Sequence, residues 1–331
     1  MKKVKLHGKK FPTVLCLLCL MCFLLSLSAC LFHSEKRYQL ISDGNKNVSW
    51  VSGTSKDCIC VVFGDDELVI YTYKGEELLR KRFDKRITYI QTHQDNILLT
   101  YEDNSLEMYR WLDGSFDRMI SQQFSDSIKK AELLDWGTDL DGVVVLLTSG
   151  DLYRSDSYEN VTNLVLVDHD VKTSAYYARG DYLLYITQKN ELKTWCFYET
   201  FHICLNADKS VLNDIQDLQV ALFNDNKQFI CFKGIGARGE HYFVRDEDNL
   251  TVLDGANVSV KLLGTTRGYE AAYVYQKDEK IYYQGPSGRK NHDYTYSNPY
   301  RIKIDKQYSL MPICGGVVYY NEKEVIVLIV P

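Results

Sequence analysis

The sequence predicts an all-β chain, a closed seven-bladed β-propeller of four-stranded antiparallel blades, and three observations carry that prediction. One unit recurs along the chain. Within residues 182–206 an apolar run, Tyr182–Thr187, meets a polar turn, Gln188–Glu191; a second run, Leu192–Phe197, leads through Glu199-Thr200 to a third, Phe201–Leu205. Tyr, Ile, Thr, Trp and Phe dominate these runs and suit a pleated, half-buried surface, whereas the turns carry Lys, Asn and Glu. The run-then-turn junction returns at residues 64, 102, 148, 188, 233, 276 and 321, at intervals of 38, 46, 40, 45, 43 and 45 residues. That is the period of a four-stranded blade. The ends are also complementary. The last unit has only three strands, Tyr308–Ile313, Gly316–Tyr320 and Val325–Val330, while Arg37–Ser42 is a strand left over ahead of the first unit. Pairing the two completes the seventh blade and removes open strand edges.

Ahead of the repeats, residues 1–29 read as a targeting segment. Five lysines and no acid precede an apolar stretch, Phe11–Leu27, that ends in small residues. At about 17 residues it sits at the short limit for a membrane span, so an uncleaved signal anchor is the competing reading. Residues 30–36 are expected to be a short tether and residues 37–331 the propeller domain. The first unit is Val48–Gly53, Cys58–Phe63, Leu68–Tyr73 and Glu77–Phe83. The second is Ile87–Thr92, Ile97–Tyr101, Leu106–Trp111 and Phe116–Gln122, with Asp113-Gly114 as a hairpin turn where the first unit has Lys74-Gly75. Ser125–Leu134 is the one segment expected to form a short helix. Five prolines and no low-complexity linker argue for one domain.

Leu27-Ser28-Ala29-Cys30 resembles the lipobox of bacterial lipoproteins. The resemblance implies a diacylglyceryl group on Cys30, cleavage before it, and an extracytoplasmic protein anchored to the bacterial cell membrane. Two or three acyl chains hold a protein on a bilayer stably, at about 0.8 kcal/mol per buried methylene. The repeat spacing, together with Glu191–Trp195 and Ser105–Trp111 as third strands, is similar to WD40 and PQQ-type propellers over most of residues 37–331. No Gly-His precedes a Trp-Asp pair, and neither adjacent cysteines nor a repeated Ala-x-Asp-x-x-Thr-Gly occurs. The resemblance therefore implies architecture and no site.

Composition narrows the function. The whole chain carries a net charge of −5; without the five signal lysines it is −10. Such acidity argues against nucleic acid and against anionic head groups as partners. Six cysteines follow Cys30. Four lie in apolar runs, where Cys acts as a small hydrophobe, while Cys196 and Cys204 fall on neighbouring strands of one unit and form a possible disulfide. The histidines are isolated, with no HExxH spacing. Asp168-His169-Asp170 reads as a solvated turn between units. The acids of Asp135–Gly142 fit a calcium loop poorly, because Thr148 falls where a bidentate Glu is needed. No P-loop, dinucleotide or G-x-S-x-G motif is present. No catalytic residue, metal or cofactor is expected.

Two stretches break the regularity. Lys233–Glu240 replaces a four-residue turn with eight residues, and Gly285–Pro299 inserts about ten residues between the third and outer strands of the sixth unit. The second insertion gathers Arg289, Lys290 and His292 with Tyr294, Tyr296 and Tyr300. Cations and tyrosines interleaved on a rigid scaffold suit recognition of a cell-envelope protein or a glycan. The functional reading is thus a membrane-anchored binding or assembly module. The alternative is a carbohydrate-active hydrolase or lyase with its acids converging on the central channel.

Overall fold

The computed structural model describes residues 36–41, 46–53, 58–112, 114–134, 141–157, 160–177, 182–196, 204–225, 228–246, 249–266, 272–290, 293–304, 307–313 and 315–330. The targeting segment, Cys30 and the tether to residue 35 lie outside these, as do 135–140, Glu199-Thr200 and His292.

Second strands are strongly apolar, and three of them are buried at every position: Cys58–Phe63, Asn96–Tyr101 and Gly142–Leu147. A strand covered on one face would alternate in polarity. Here each blade is stacked between two others, so both faces require apolar side chains. Outer strands invert this composition, and Glu77–Arg82 is exposed at five of its six positions.

Strand β1 (Lys36–Ile41) comes first in the chain but belongs to the last blade. Blade 1 is β2 (Val48–Gly53), β3 (Cys58–Phe63), β4 (Glu67–Thr72) and β5 (Glu77–Arg82). Blade 2 is β6 (Ile87–His93), β7 (Asn96–Tyr101), β8 (Ser105–Leu112) and β9 (Ser115–Gln123). Blade 3 is β10 (Ile128–Leu134), β11 (Gly142–Leu147), β12 (Leu152–Ser157) and β13 (Asn160–Asp168). Blade 4 has three described strands, β14 (Val171–Tyr177), β15 (Tyr182–Thr187) and β16 (Leu192–Cys196). Next come β17 (Cys204–Asn206) and a short helix, α1 (Lys209–Asp214). Blade 5 is β18 (Ile215–Asp225), β19 (Gln228–Gly236), β20 (Gly239–Asp246) and β21 (Asn249–Asp254), with β17 added to its outer edge. Blade 6 is β22 (Lys261–Thr265), β23 (Tyr273–Lys277), β24 (Lys280–Gln284) and β27 (Tyr300–Ile302). A separate ribbon, β25 (Pro286–Lys290) and β26 (Asp293–Tyr296), is inserted between its third and fourth strands. Blade 7 is β28 (Ser309–Ile313), β29 (Gly316–Tyr320), β30 (Glu324–Ile329) and finally β1.

The ring therefore closes through its two ends. Strand β1 runs antiparallel to β30 over six residue pairs, Lys36↔Ile329 through Ile41↔Glu324. Seven apolar clusters fill the seven junctions. The one joining blade 7 to blade 1 packs Ile313, Val318, Val325 and Val327 against Val51, Ile59, Val61 and Val69. The recurring polar turns share a backbone feature: Asp65, Asn104, Gly150, Asn190 and Asp278 all have positive φ. Asp and Asn tolerate the left-handed region better than other non-glycine residues, which is why the turn signal is readable in sequence.

Three expectations are corrected. Ser125–Leu134 is not helical: Ile128–Leu134 is the inner strand β10, paired antiparallel with β11 from Ile128↔Leu147 to Leu134↔Gly142, and the α-helix among the described residues is α1. Lys233–Glu240 is not an eight-residue loop, since β19 and β20 run on through it to the pair Gly236↔Gly239. Of the expected run Phe201–Leu205 the described residues are Cys204 and Leu205, and they do not return to their own unit. Instead β17 pairs parallel with β21 of blade 5, Cys204 opposite Asn249, while Cys196 on β16 stands opposite Tyr182. Cys196 and Cys204 thus lie in different sheets, not across one hairpin.

Candidate functional site

Inner strands line a central channel, and their side chains tie each blade to the next. Ser52 Oγ accepts from the Thr92 amide at 3.0 Å, Gln91 Oε1 from Leu133 at 2.8 Å, Glu132 Oε2 from Tyr176 at 3.1 Å, and Thr173 Oγ1 from Leu218 at 2.9 Å. Each bond links successive inner strands, so four junctions in a row use the same device. Lysines serve the carbonyls. Lys129 Nζ donates to Lys172 O at 2.7 Å, Lys130 Nζ to Ser174 O at 2.8 Å and also to Leu218 O, and Lys172 Nζ to Asn213 O at 2.8 Å. Burial pushes the Lys172 ammonium below its ordinary range.

The channel widens into a cavity of about 700 Å³ bounded by six of the seven inner strands, from Trp50 on β2 to Thr265 on β22. Trp50 and Tyr89 meet edge to face at its wall, with ring centroids 5.9 Å apart. Asp217 is the one carboxylate among the described lining residues; it lies 3.5 Å from Lys130 Nζ and accepts from Gln219 Nε2 at 2.7 Å. Glu132 is buried behind the wall, 3.9 Å from the same lysine. Among the described residues every carboxylate with a displaced pKa is displaced downward. Asp103, held by Lys85 and then Ser105, falls to about 2. Burial would raise Glu107, but hydrogen bonds from Tyr109, Tyr101 and Arg118 outweigh it and bring it below its usual range. No group of three His, Cys, Asp or Glu among the described residues could hold a metal ion.

The second candidate is the inserted ribbon. Its register sets Arg289 opposite Tyr294, Lys290 opposite Asp293 and Pro286 opposite Tyr296, so one sequence-predicted cation, Arg289, stands in register with a sequence-predicted tyrosine, Tyr294. The root is clamped: Ser297 N donates to Gly285 O at 2.9 Å, and Gln284 Nε2 to Ser297 O at 2.9 Å. Gly285 is required there, because a Cβ would collide with the Tyr283 hydroxyl, which itself donates to Ile313 O of blade 7 at 3.2 Å. Tyr300 stands apart from the ribbon. It is half-buried in β27 opposite Tyr283 and packs at the margin of the junction between blades 6 and 7.

Other motifs resolve into structure. His169 Nδ1 lies 2.7 Å from Asp151 Oδ1, and that hydrogen bond raises its pKa. The stretch 233–240 is organised around buried Asp214, which accepts from the Arg238 amide at 3.2 Å and meets His241 Nε2 at 3.0 Å. Cys58, Cys60 and Cys231 are buried, and burial pushes the Cys60 thiol well up, where it is inert. His93 and buried Asp141, 2.9 Å apart, form a part-buried pair that sequence reasoning missed, because their positions lie 48 residues apart.

No protein-family model and no curated protein sequence matches the chain. Solved structures do. The β-propeller domain of Cps50 (Swd1) from Myceliophthora thermophila matches with a TM-score of 0.54 and 15% identity, over 90% of this chain and 100% of that one. A chain in the S. cerevisiae complex of Dbp5 with Nup159, Gle1, IP6 and ADP matches with a TM-score of 0.50 and 9% identity, over 90% and 94%. The WD40 domain of SCAP from fission yeast gives 0.45 and 9% identity, over 89% and 98%. The class defined by fold and channel is a seven-bladed β-propeller of four-stranded antiparallel blades. At these identities the likeness is one of fold.

Proposed function

We propose that this protein is an extracytoplasmic lipoprotein, anchored through Cys30, whose propeller is a binding or assembly module that engages a cell-envelope protein or glycan. The observation that carries the reading is the ribbon 286–296: a hairpin inserted on a closed ring, with its own ladder, a clamped root and Arg289 in register with Tyr294. Rigid scaffolds that present such elements are suited to recognition. A glycoside hydrolase is supported less well, since that chemistry uses two carboxylates across one bond and the described channel wall offers Asp217 alone, held by Lys130.

The test is capture from the native envelope by wild type and by the Arg289→Ala, Tyr294→Ala, Tyr296→Ala variant. Folding should be unchanged, because the ribbon lies outside the blade ladders, while partner capture weakens; anchors of this kind contribute about 2 kcal/mol or more each. Identical captured partners would place recognition elsewhere. The anchor is tested by Cys30→Ser, which should abolish lipid labelling and leave an uncleaved precursor; a processed, membrane-bound variant would refute it.

A further inference from the structure

We propose that the cavity wall at Trp50 and Tyr89 is a carbohydrate-binding site that takes a short oligosaccharide, a role separate from that of the ribbon. Trp50 is the large apolar side chain left most conspicuously open to a cavity: it is 36% exposed and forms part of the wall of the 700 Å³ space. Folding normally removes an indole from water, and one held open in a concave site is a platform for a ligand. Its contact with Tyr89 is edge to face, at 78° between planes, so that contact covers at most one face of either ring. A flat apolar face presented next to polar groups suits the C–H face of a pyranose.

The surrounding wall decides between a sugar and a peptide. A peptide in a β-rich site gains most of its affinity by pairing its backbone with an open strand edge. Here the channel edges of β10, β14 and β18 are sealed from within. Their amides at Leu133, Tyr176 and Leu218 donate to side chains of the preceding blade, and the carbonyls at Lys172, Ser174 and Leu218 accept from lysines. Recognition then falls to side chains: the exposed amide Gln216, and the hydrogen-bonding capacity left over at Gln219 and Asp217, which bond each other, at Thr88, which bonds Thr100, and at Lys129, which bonds Lys172 O. Amides, a hydroxyl and an ammonium lining the same cavity as an aromatic ring match vicinal hydroxyls, whereas a peptide pairing along β10, β14 or β18 would have to displace these bonds.

The full-length chain, solubilised in detergent, is titrated with a panel of neutral, N-acetylated and uronic-acid-containing oligosaccharides and, in parallel, with unstructured peptides, with tryptophan fluorescence and calorimetry as readouts. We expect at least one oligosaccharide to bind and to quench fluorescence, and Trp50→Ala to weaken it about tenfold or more. Trp50→Phe should recover part of the affinity. Gln216→Ala with Gln219→Ala, at exposed positions, should weaken the same ligand with unfolding unchanged, and serves if Trp50→Ala does not fold. The ribbon variant should bind as wild type does, so the two sites fail independently. Absence of binding across the panel, binding indifferent to both channel variants, or a peptide whose binding Trp50→Ala abolishes would each overturn the proposal.

Discussion

Removing β1 tests how the ring is held shut. Strand β1 contributes six residue pairs to β30, or about six ladder hydrogen bonds. At a net contribution of about 0.5–1.5 kcal/mol each, their loss costs about 3–9 kcal/mol. Tyr38 also leaves the margin of the cluster between blades 7 and 1, and the Gln39 amide its 2.8 Å bond to Glu324. Domains are stable by about 5–15 kcal/mol in all, so the deletion consumes most of that margin. It also exposes β30, a template for pairing with another chain. The measurement compares chains beginning at residues 31 and 44 by urea unfolding and size-exclusion chromatography. The shorter chain should show a markedly lower midpoint, or a broad transition with oligomers. A monomer that unfolds cooperatively at the same midpoint would refute closure through β1 as a source of stability.

Two further outcomes rest on titration. Glu107 Oε atoms accept from Tyr101 at 2.9 Å, Tyr109 at 2.5 Å and Arg118 at 2.8 Å, and its pKa is lowered, so its contribution is present above its unfolded pKa and is lost as pH falls through the folded value. Glu107→Gln should therefore cost about 1.5–3 kcal/mol at neutral pH and flatten the acid limb of the stability profile; an unchanged acid limb would show that Glu107 is not its source. His169 has the opposite sign: its pKa is raised by Asp151, so its contribution is present below its unfolded pKa and disappears as pH rises through the folded one. His169→Ala should lower the melting temperature slightly at mildly acidic pH and not at all in alkaline buffer, and a pH-independent change would contradict the pairing.

Much of this architecture is legible because propeller packing writes itself into composition. Continuous apolar runs such as Cys58–Phe63 and Gly142–Leu147 are what strands between two stacked blades require, and the polar turns carry Asp and Asn where φ is positive. Lys233–Glu240 misled because its glycines suggested a loop. Gly234 and Gly236 are instead close approaches, where a Cβ would press on Ile215 and on the Asp214 carboxylate. Ser125–Leu134 misled because Lys129, Lys130 and Glu132 look like the polar face of a helix. Their hydrogen-bond partners lie in the next blades, and those contacts override local propensity.

Alone, the sequence determined the number of units, their strand order, and the complementarity of the two ends. These depend on local periodicity and on turn chemistry, which are properties of neighbours in the chain. Only the tertiary structure decided the rest: that β17 crosses to blade 5, that Ser52, Gln91, Glu132 and Thr173 lock successive inner strands, and that Trp50 meets Tyr89 across a junction. Those partners lie roughly one blade apart in sequence, about 40 residues. Nothing local selects among them until ring closure brings the inner strands around one axis.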